Sequence, residues 1–211
     1  MITELKAYKR DLIIQNCIER WKLTKEESVD LRKAIEVWLS QVKCDATLEV
    51  LENLLEAFEY FTRTRANTIL KELHTKTAEK YGDDYAVRAS FFPFSKDNDN
   101  RMKSSHMFLI EYGSINEIDS GNFYVDISKC EREVKSSELI VFVDDILGTG
   151  DTLKSFLSNK IKILRGKQVL VEVIVCSERA RKMLEGFAKH NSINIDIISW
   201  IDMKCAFDEN Y

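Results

Sequence analysis

The sequence predicts an α/β protein: a parallel sheet in the later part of the chain, preceded by an all-helical N-terminal extension. Two patterns carry that prediction. Over residues 1–82 the apolar side chains recur every three or four positions, the spacing of one helix face. Beyond them, short runs rich in β-branched residues alternate with helical stretches, and that order links neighbouring strands by right-handed crossovers into a parallel sheet. One proline and seven glycines in 211 residues leave little chain for long loops. The expected division is a helical region over 1–82 and an α/β domain over 83–211.

In the first helix, Leu5, Tyr8, Leu12, Ile13, Cys17 and Trp21 make one wide apolar face. Thr24-Lys25-Glu26-Glu27 has the form of a capping box, so a second helix starts there, with its stripe at Leu31, Ala34, Ile35, Trp38, Leu39 and Val42. Trp38 is the largest apolar anchor of that stripe. Asp45 is a good N-cap for a third helix, which runs through Leu48, Leu51, Leu55, Phe58, Thr62, Arg65 and Ile69 to a stop at Tyr81-Gly82. Through these stripes the helical region is expected to dock on the sheet domain, on a protein partner or on a second copy of the chain.

From Tyr85 the period changes. YAVRASFF at 85–92 reads as a strand ended by Pro93, and SKDNDNRMKSSHMFLIEY reads as a polar loop running into a helix. Ser95, Lys96, Asn98, Arg101 and Lys103 are the donors of that loop. Residues 113–137 are less patterned: NFYVDI at 122–127 suggests a short strand, and the charged run at 129–135 a connection. Later, Leu153, Phe156, Leu157, Ile161 and Leu164 mark a helix that Gly166 stops. A strand at 169–176, a helix on Ala180, Met183, Leu184 and Phe187, and a strand at 193–200 complete the alternation.

The most informative stretch is ELIVFVDDILGTGDT at 138–152. Its apolar run is a buried strand, Asp144 and Asp145 end it, and a Gly/Thr loop leads into the helix behind. Gly148 and Gly150 let the backbone approach a ligand closely, while the free N–H groups opening the helix aim partial positive charge at the same place. The Thr149 and Thr152 hydroxyls add donors, which makes a phosphate cradle. The carboxylates beside it are acceptors only and suit the hydroxyls of a sugar whose phosphate lies in the loop. A P-loop would need a lysine after the second glycine, where Asp151 stands. A haloacid-dehalogenase site has its two aspartates separated by one residue, and a receiver domain does not follow its acidic pair with Gly-Thr-Gly.

VDDILGTGDT at 143–152 resembles the phosphoribosyl-pyrophosphate motif of type I phosphoribosyltransferases. The resemblance spans roughly 85–200 and implies a sheet of phosphoribosyltransferase type. It implies that Asp144 and Asp145 are the catalytic carboxylates that hold the ribose hydroxyls, and that Gly148, Thr149, Gly150, Asp151 and Thr152 hold the 5′-phosphate. Lys96 and Arg101 would meet the pyrophosphate, Mg²⁺ would be the cofactor with no metal-ligand residue assigned, and Lys129 and Arg132 would belong to a lid. Purine-salvage members carry an aspartate as base where this chain has Gly148, and salvage enzymes do not usually have so large a helical front. The resemblance therefore points to the divergent phosphoribosyltransferase-like proteins of bacterial conflict and phage-defence loci. Its ligand is phosphoribosyl pyrophosphate or a nucleotide, either turned over or sensed.

Composition narrows the remaining classes. A net charge of −4 gives no electrostatic footprint for nucleic acid. Five scattered cysteines without ligand spacing read as buried thiols rather than disulfides or zinc ligands. The N-terminal stretch lacks an uninterrupted apolar run and a small-residue cleavage site, so no membrane span or signal peptide is expected and the chain is placed in the cytoplasm.

Overall fold

The structure, a computed structural model, describes residues 2–94 and 104–204. The chain divides into two compact units, Met1–Ala66 and Asn67–Tyr211. The first contains α1 (Ile2–Arg20), α2 (Lys25–Ser40), α3 (Asp45–Ala57) and the opening of α4 (Arg63–Tyr81). The capping box forms as read: the Glu27 N–H donates to Thr24 Oγ1 at 3.3 Å, and the Thr24 N–H donates to Glu27 Oε2 at 2.8 Å. Ile13, Ile14 and Cys17 of α1 and Trp21 just after it pack against Ile35 and Leu39 of α2 and Leu55 of α3.

Two readings of this unit change. Asp45 is the first residue of α3, and Cys44 occupies the cap without a side-chain bond. The long third helix is also two helices, because tertiary bonds replace the helical ones at the break. The Arg20 guanidinium takes the carbonyls of Glu56 and Phe58 at 2.6 and 2.7 Å, Phe58 turns extended, and Thr62 Oγ1 accepts the Arg65 N–H at 3.2 Å to open α4.

The anchor of the helical unit is Trp21 rather than Trp38. Trp21 is 2% exposed and its indole N–H donates to the Phe58 carbonyl at 3.1 Å, whereas Trp38 is 38% exposed. Trp38 lines an apolar hollow of about 340 Å³ with Trp21, Leu31, Leu54, Leu55, Phe58 and Tyr60. Trp21→Ala should therefore cost roughly 3–5 kcal/mol, as truncation of a buried tryptophan does. Trp38→Ala should cost about 1 kcal/mol or less, closer to a surface change. Denaturant unfolding of the two variants checks the order, and equal losses would contradict it.

The second unit holds the remainder of α4, α5 (Tyr85–Arg88), β1 (Ala89–Phe92), α6 (Ser104–Ile115), α7 (Glu131–Ser136), β2 (Leu139–Leu147), α8 (Asp151–Ser158), α9 (Ile161–Leu164), β3 (Gln168–Ser177), α10 (Glu178–Asn191) and β4 (Asn194–Met203). The four strands form one all-parallel sheet in the order β1-β2-β3-β4, the α/β architecture the alternation predicts. Residues 85–92 are half helix and half strand. Residues 122–127 form no strand; two 3₁₀ turns, Ser120–Asn122 and Ile127–Lys129, flank them, and Phe123 makes a single parallel bridge to Phe91. The helix over 153–164 is broken after Ser158 into α8 and α9.

Strand alternation divides the core. Ile140 and Phe142 of β2 and Val169, Val171 and Val173 of β3 share one cluster with Leu153, Phe156 and Leu157 of α8, Leu164 of α9 and Leu184 of α10. The intervening β3 position Glu172 is fully buried, and it accepts the Thr77 hydroxyl of α4 at 2.8 Å.

Candidate functional site

β2 outruns its neighbour. Pairing with β1 ends at Phe92↔Phe142, whereas pairing with β3 continues to Leu147↔Cys176. The step leaves Asp144 and Asp145 on a stretch of β2 with a strand on one side only, beyond the carboxyl end of β1, where parallel sheets bind ligands. The strand does not stop at the carboxylates, as the sequence reading had it, but carries them and ends at Leu147. Their acceptors take local backbone donors: the Asp145 N–H reaches Asp144 Oδ1 at 3.0 Å, and the Ile146 N–H reaches Asp145 Oδ1 at 2.8 Å.

Burial, together with the charge of Asp145, pushes the Asp144 carboxyl up to about 7. At neutral pH the pair thus retains part of a proton that two exposed carboxyls would have lost.

After β2 the chain turns through Gly148, Thr149 and Gly150 into α8. Gly150 is the N-cap in the left-handed region, φ 78°. A Cβ there would lie 2.4 Å from Met183 Cε and 3.2 Å from Ala180 Cβ, so both conformation and packing against α10 call for glycine. Thr149 Oγ1 accepts the Asp151 N–H at 3.3 Å, and Thr149, Asp151 and Thr152 are exposed. The half-buried acidic pair and the loop at 148–152, whose Gly148, Thr149, Asp151 and Thr152 are exposed while Gly150 is buried, thus follow one another at the end of β2. The PRTase-CE family model matches residues 35–210.

The chain belongs to the PRTase-CE family. It is a phosphoribosyltransferase-like protein, and the match begins inside α2, so α3 and α4 fall within the family region as well as the sheet. Comparison with curated proteins returns no match.

Other readings of this PRTase-CE chain fare differently. Lys96 and Arg101 lie outside the described residues. Lys129 closes a 3₁₀ turn with its ammonium 3.6 Å from Asp126, and Arg132 is on α7, which buries Val134 in the core. A Cβ at Gly148 would meet nothing within 4 Å among the described residues beyond its chain neighbours, where salvage enzymes carry their base.

Two residues escaped the sequence reading. Ser177 ends β3, caps α10 by accepting the Ala180 N–H at 3.0 Å, and donates its hydroxyl to the Gly148 carbonyl. Glu172 stands beneath the sheet near a chain of hydroxyls in which Tyr112 and Tyr85 meet at 2.6 Å and Tyr85 meets His74 Nδ1 at 2.5 Å. Each had a signal: a serine just before a helical run, and a lone charge inside VLVEVIVC.

Proposed function

We propose that this protein binds phosphoribosyl pyrophosphate, or a nucleotide that shares its ribose 5-phosphate, and catalyses transfer or hydrolysis at ribose C1, the C1 substituent leaving as an acceptor or water takes its place, in a bacterial conflict or phage-defence setting. The observation that carries the reading is the corner itself: paired carboxylates at a one-sided strand end, joined by two residues to a glycine cradle at a helix start. The carboxylates suit a vicinal diol, and the cradle with the Thr149 and Thr152 hydroxyls suits a phosphate. Loss of diphosphate from C1 places positive charge on the ring, and Asp144 and Asp145 beside it stabilise that charge. The fully ionised pair forms as pH rises through the Asp144 value of about 7, so turnover rises across the same range. The defence setting follows from the resemblance.

Mg²⁺ fits this donor chemistry. Two carboxylates are hard oxygen ligands, and no three His, Cys, Asp or Glu side chains gather into a metal site among the described residues, so the ion would arrive with the diphosphate. Its contribution is to neutralise the leaving group. Lys96 and Arg101 are proposed to hold the same diphosphate.

A second reading, binding without turnover and relay to a protein partner or second copy through the helical unit, is favoured by one observation. Gly148 supplies no base, and among the described residues beyond its chain neighbours nothing lies within 4 Å of where its Cβ would stand.

Phosphoribosyl pyrophosphate with Mg²⁺ should stabilise the protein against heat. At about 100 times its dissociation constant a ligand adds roughly 2.7 kcal/mol, a rise of about 5–10 °C for a chain of this size. Ribose 5-phosphate should give a smaller rise. Pyrophosphate release then separates turnover from sensing, and flat melting curves with both ligands would remove both readings.

A further inference from the structure

The Gly148–Thr149 peptide is held from outside the loop. Ser177, 2% exposed, uses its hydroxyl twice, accepting from the α10 backbone at Ala180 and donating to the Gly148 carbonyl. In a trans peptide the C=O and the following N–H point opposite ways, and no cis peptide occurs among the described residues. The bond that draws the Gly148 oxygen toward Ser177 therefore turns the Thr149 N–H the other way. That N–H has no hydrogen-bond partner among the described residues, and Thr149 is exposed.

The orientation of this peptide matters because its two edges have opposite effects on an anion. An N–H attracts a phosphate oxygen, whereas a carbonyl repels it. Glycine at 148 has no side chain to fix the choice, and a Cβ there would touch nothing within 4 Å among the described residues beyond its chain neighbours, so the loop itself does not decide which edge faces out. The next glycine carbonyl is already committed, since Gly150 accepts the Lys154 N–H at 2.9 Å inside α8. Of these two glycine carbonyls, the one at Gly148 depends on a side chain.

We infer that Ser177 is a positioning residue of the phosphate loop, its hydroxyl setting the Gly148–Thr149 peptide so that the Thr149 N–H faces the ligand phosphate. This rests on the sugar-phosphate reading above. A purely structural Ser177 would serve only as the cap of α10, and the two roles separate by substitution. Ser177→Ala removes donor and acceptor, Ser177→Asp keeps the cap acceptor but has no proton to donate, and Ser177→Thr keeps both.

The full chain and the three variants are titrated with ribose 5-phosphate well below their melting temperatures, by calorimetry and by the amide signal of Thr149, with melting curves recorded beside them. The alanine and aspartate variants should bind roughly ten- to a hundredfold more weakly, the effect of one hydrogen bond to a charged group. The Thr149 amide should shift on titration in the wild type and in Ser177→Thr, and stay still in the other two. Wild-type affinity in Ser177→Asp, or a Thr149 amide that ignores a bound ligand, overturns the inference alone. A wild-type chain that binds no ribose 5-phosphate overturns the sugar-phosphate reading and this inference with it.

Discussion

Asp144→Asn is expected to make the free protein more stable at about pH 8 while weakening its hold on ribose 5-phosphate by roughly a hundredfold. The carboxyl titrates near 7 in the fold against an ordinary 3.8, because burial and then the charge of Asp145 oppose its ionisation. A raised folded value makes the folded state keep a proton that the unfolded chain has already released. Stability is then intact below the ordinary carboxylate range, falls as pH rises toward 7, and stays low above it. Asparagine presents the same Oδ1 to the Asp145 N–H but carries no charge, so it removes the penalty. At about 1.4 kcal/mol per unit, the gain at pH 8 is roughly 2–4 kcal/mol. Asp145→Asn should also stabilise, because it takes away the like charge that bears on Asp144. Denaturant unfolding at pH 5 and pH 8 measures both, and a variant no more stable than wild type at pH 8 removes the argument. A site that destabilises its own fold until a ligand arrives is expected where function rather than folding selects the residues.

The candidate site was legible because its parts are local. A buried strand, an acidic pair, two glycines and a helix start lie within residues 138–152, and none needs a distant contact to be recognised. The parallel sheet was legible for the same reason, from elements that alternate in sequence. What the sequence hid depends on long-range partners. Nothing near Phe58 announces that Arg20 will take the carbonyls at the end of α3, so a stripe continuing through Thr62 and Arg65 reads as one helix. YAVR at 85–88 is too short for period alone to separate helix from strand, and it forms α5. Ser177 and Glu172 are marked in the sequence as a helix cap and a lone charge in a strand, but their partners Gly148 and Thr77 are set by the fold.

The family match reframes the helices. It begins at residue 35 and covers α3 and α4, so the larger part of the helical front belongs to the PRTase-CE region rather than standing apart from it. α4 also spans the boundary between the two compact units, with Arg63 to Ala66 in the first and the rest in the second. Thr77, which holds Glu172, and His74, which meets Tyr85, are both on this helix. The α4 residues that meet Glu172 and Tyr85 thus lie in the part of that helix belonging to the second unit.

Glu172→Gln should flatten the dependence of stability on pH. Glu172 is fully buried in mid-strand, Thr77 donates to Oε1, and Oε2 has no hydrogen-bond partner among the described residues. Burial raises its carboxyl to about 7, although the Tyr112 and Thr77 hydroxyls pull the other way. As with Asp144, the unfolded chain ionises first, so stability falls as pH rises from the ordinary value of 4.5 toward 7. His74 acts with the opposite sign: burial lowers its value from 6.5, and its contribution is lost as pH falls below that range. Asp202, held low by the Ser199 hydroxyl and by Arg181, matters only below the ordinary carboxylate range. Glutamine keeps an oxygen for Thr77 and cannot ionise, and comparing the two proteins across pH cancels both the His74 contribution and any constant cost of the buried amide. From about pH 5 to pH 8 the wild type should lose roughly 3 kcal/mol more than Glu172→Gln. Amide exchange on β3 reports the sheet unit without interference from the helical one. Parallel pH profiles for wild type and variant would mean that Glu172 is ionised throughout, and that Tyr112 and Thr77 outweigh burial.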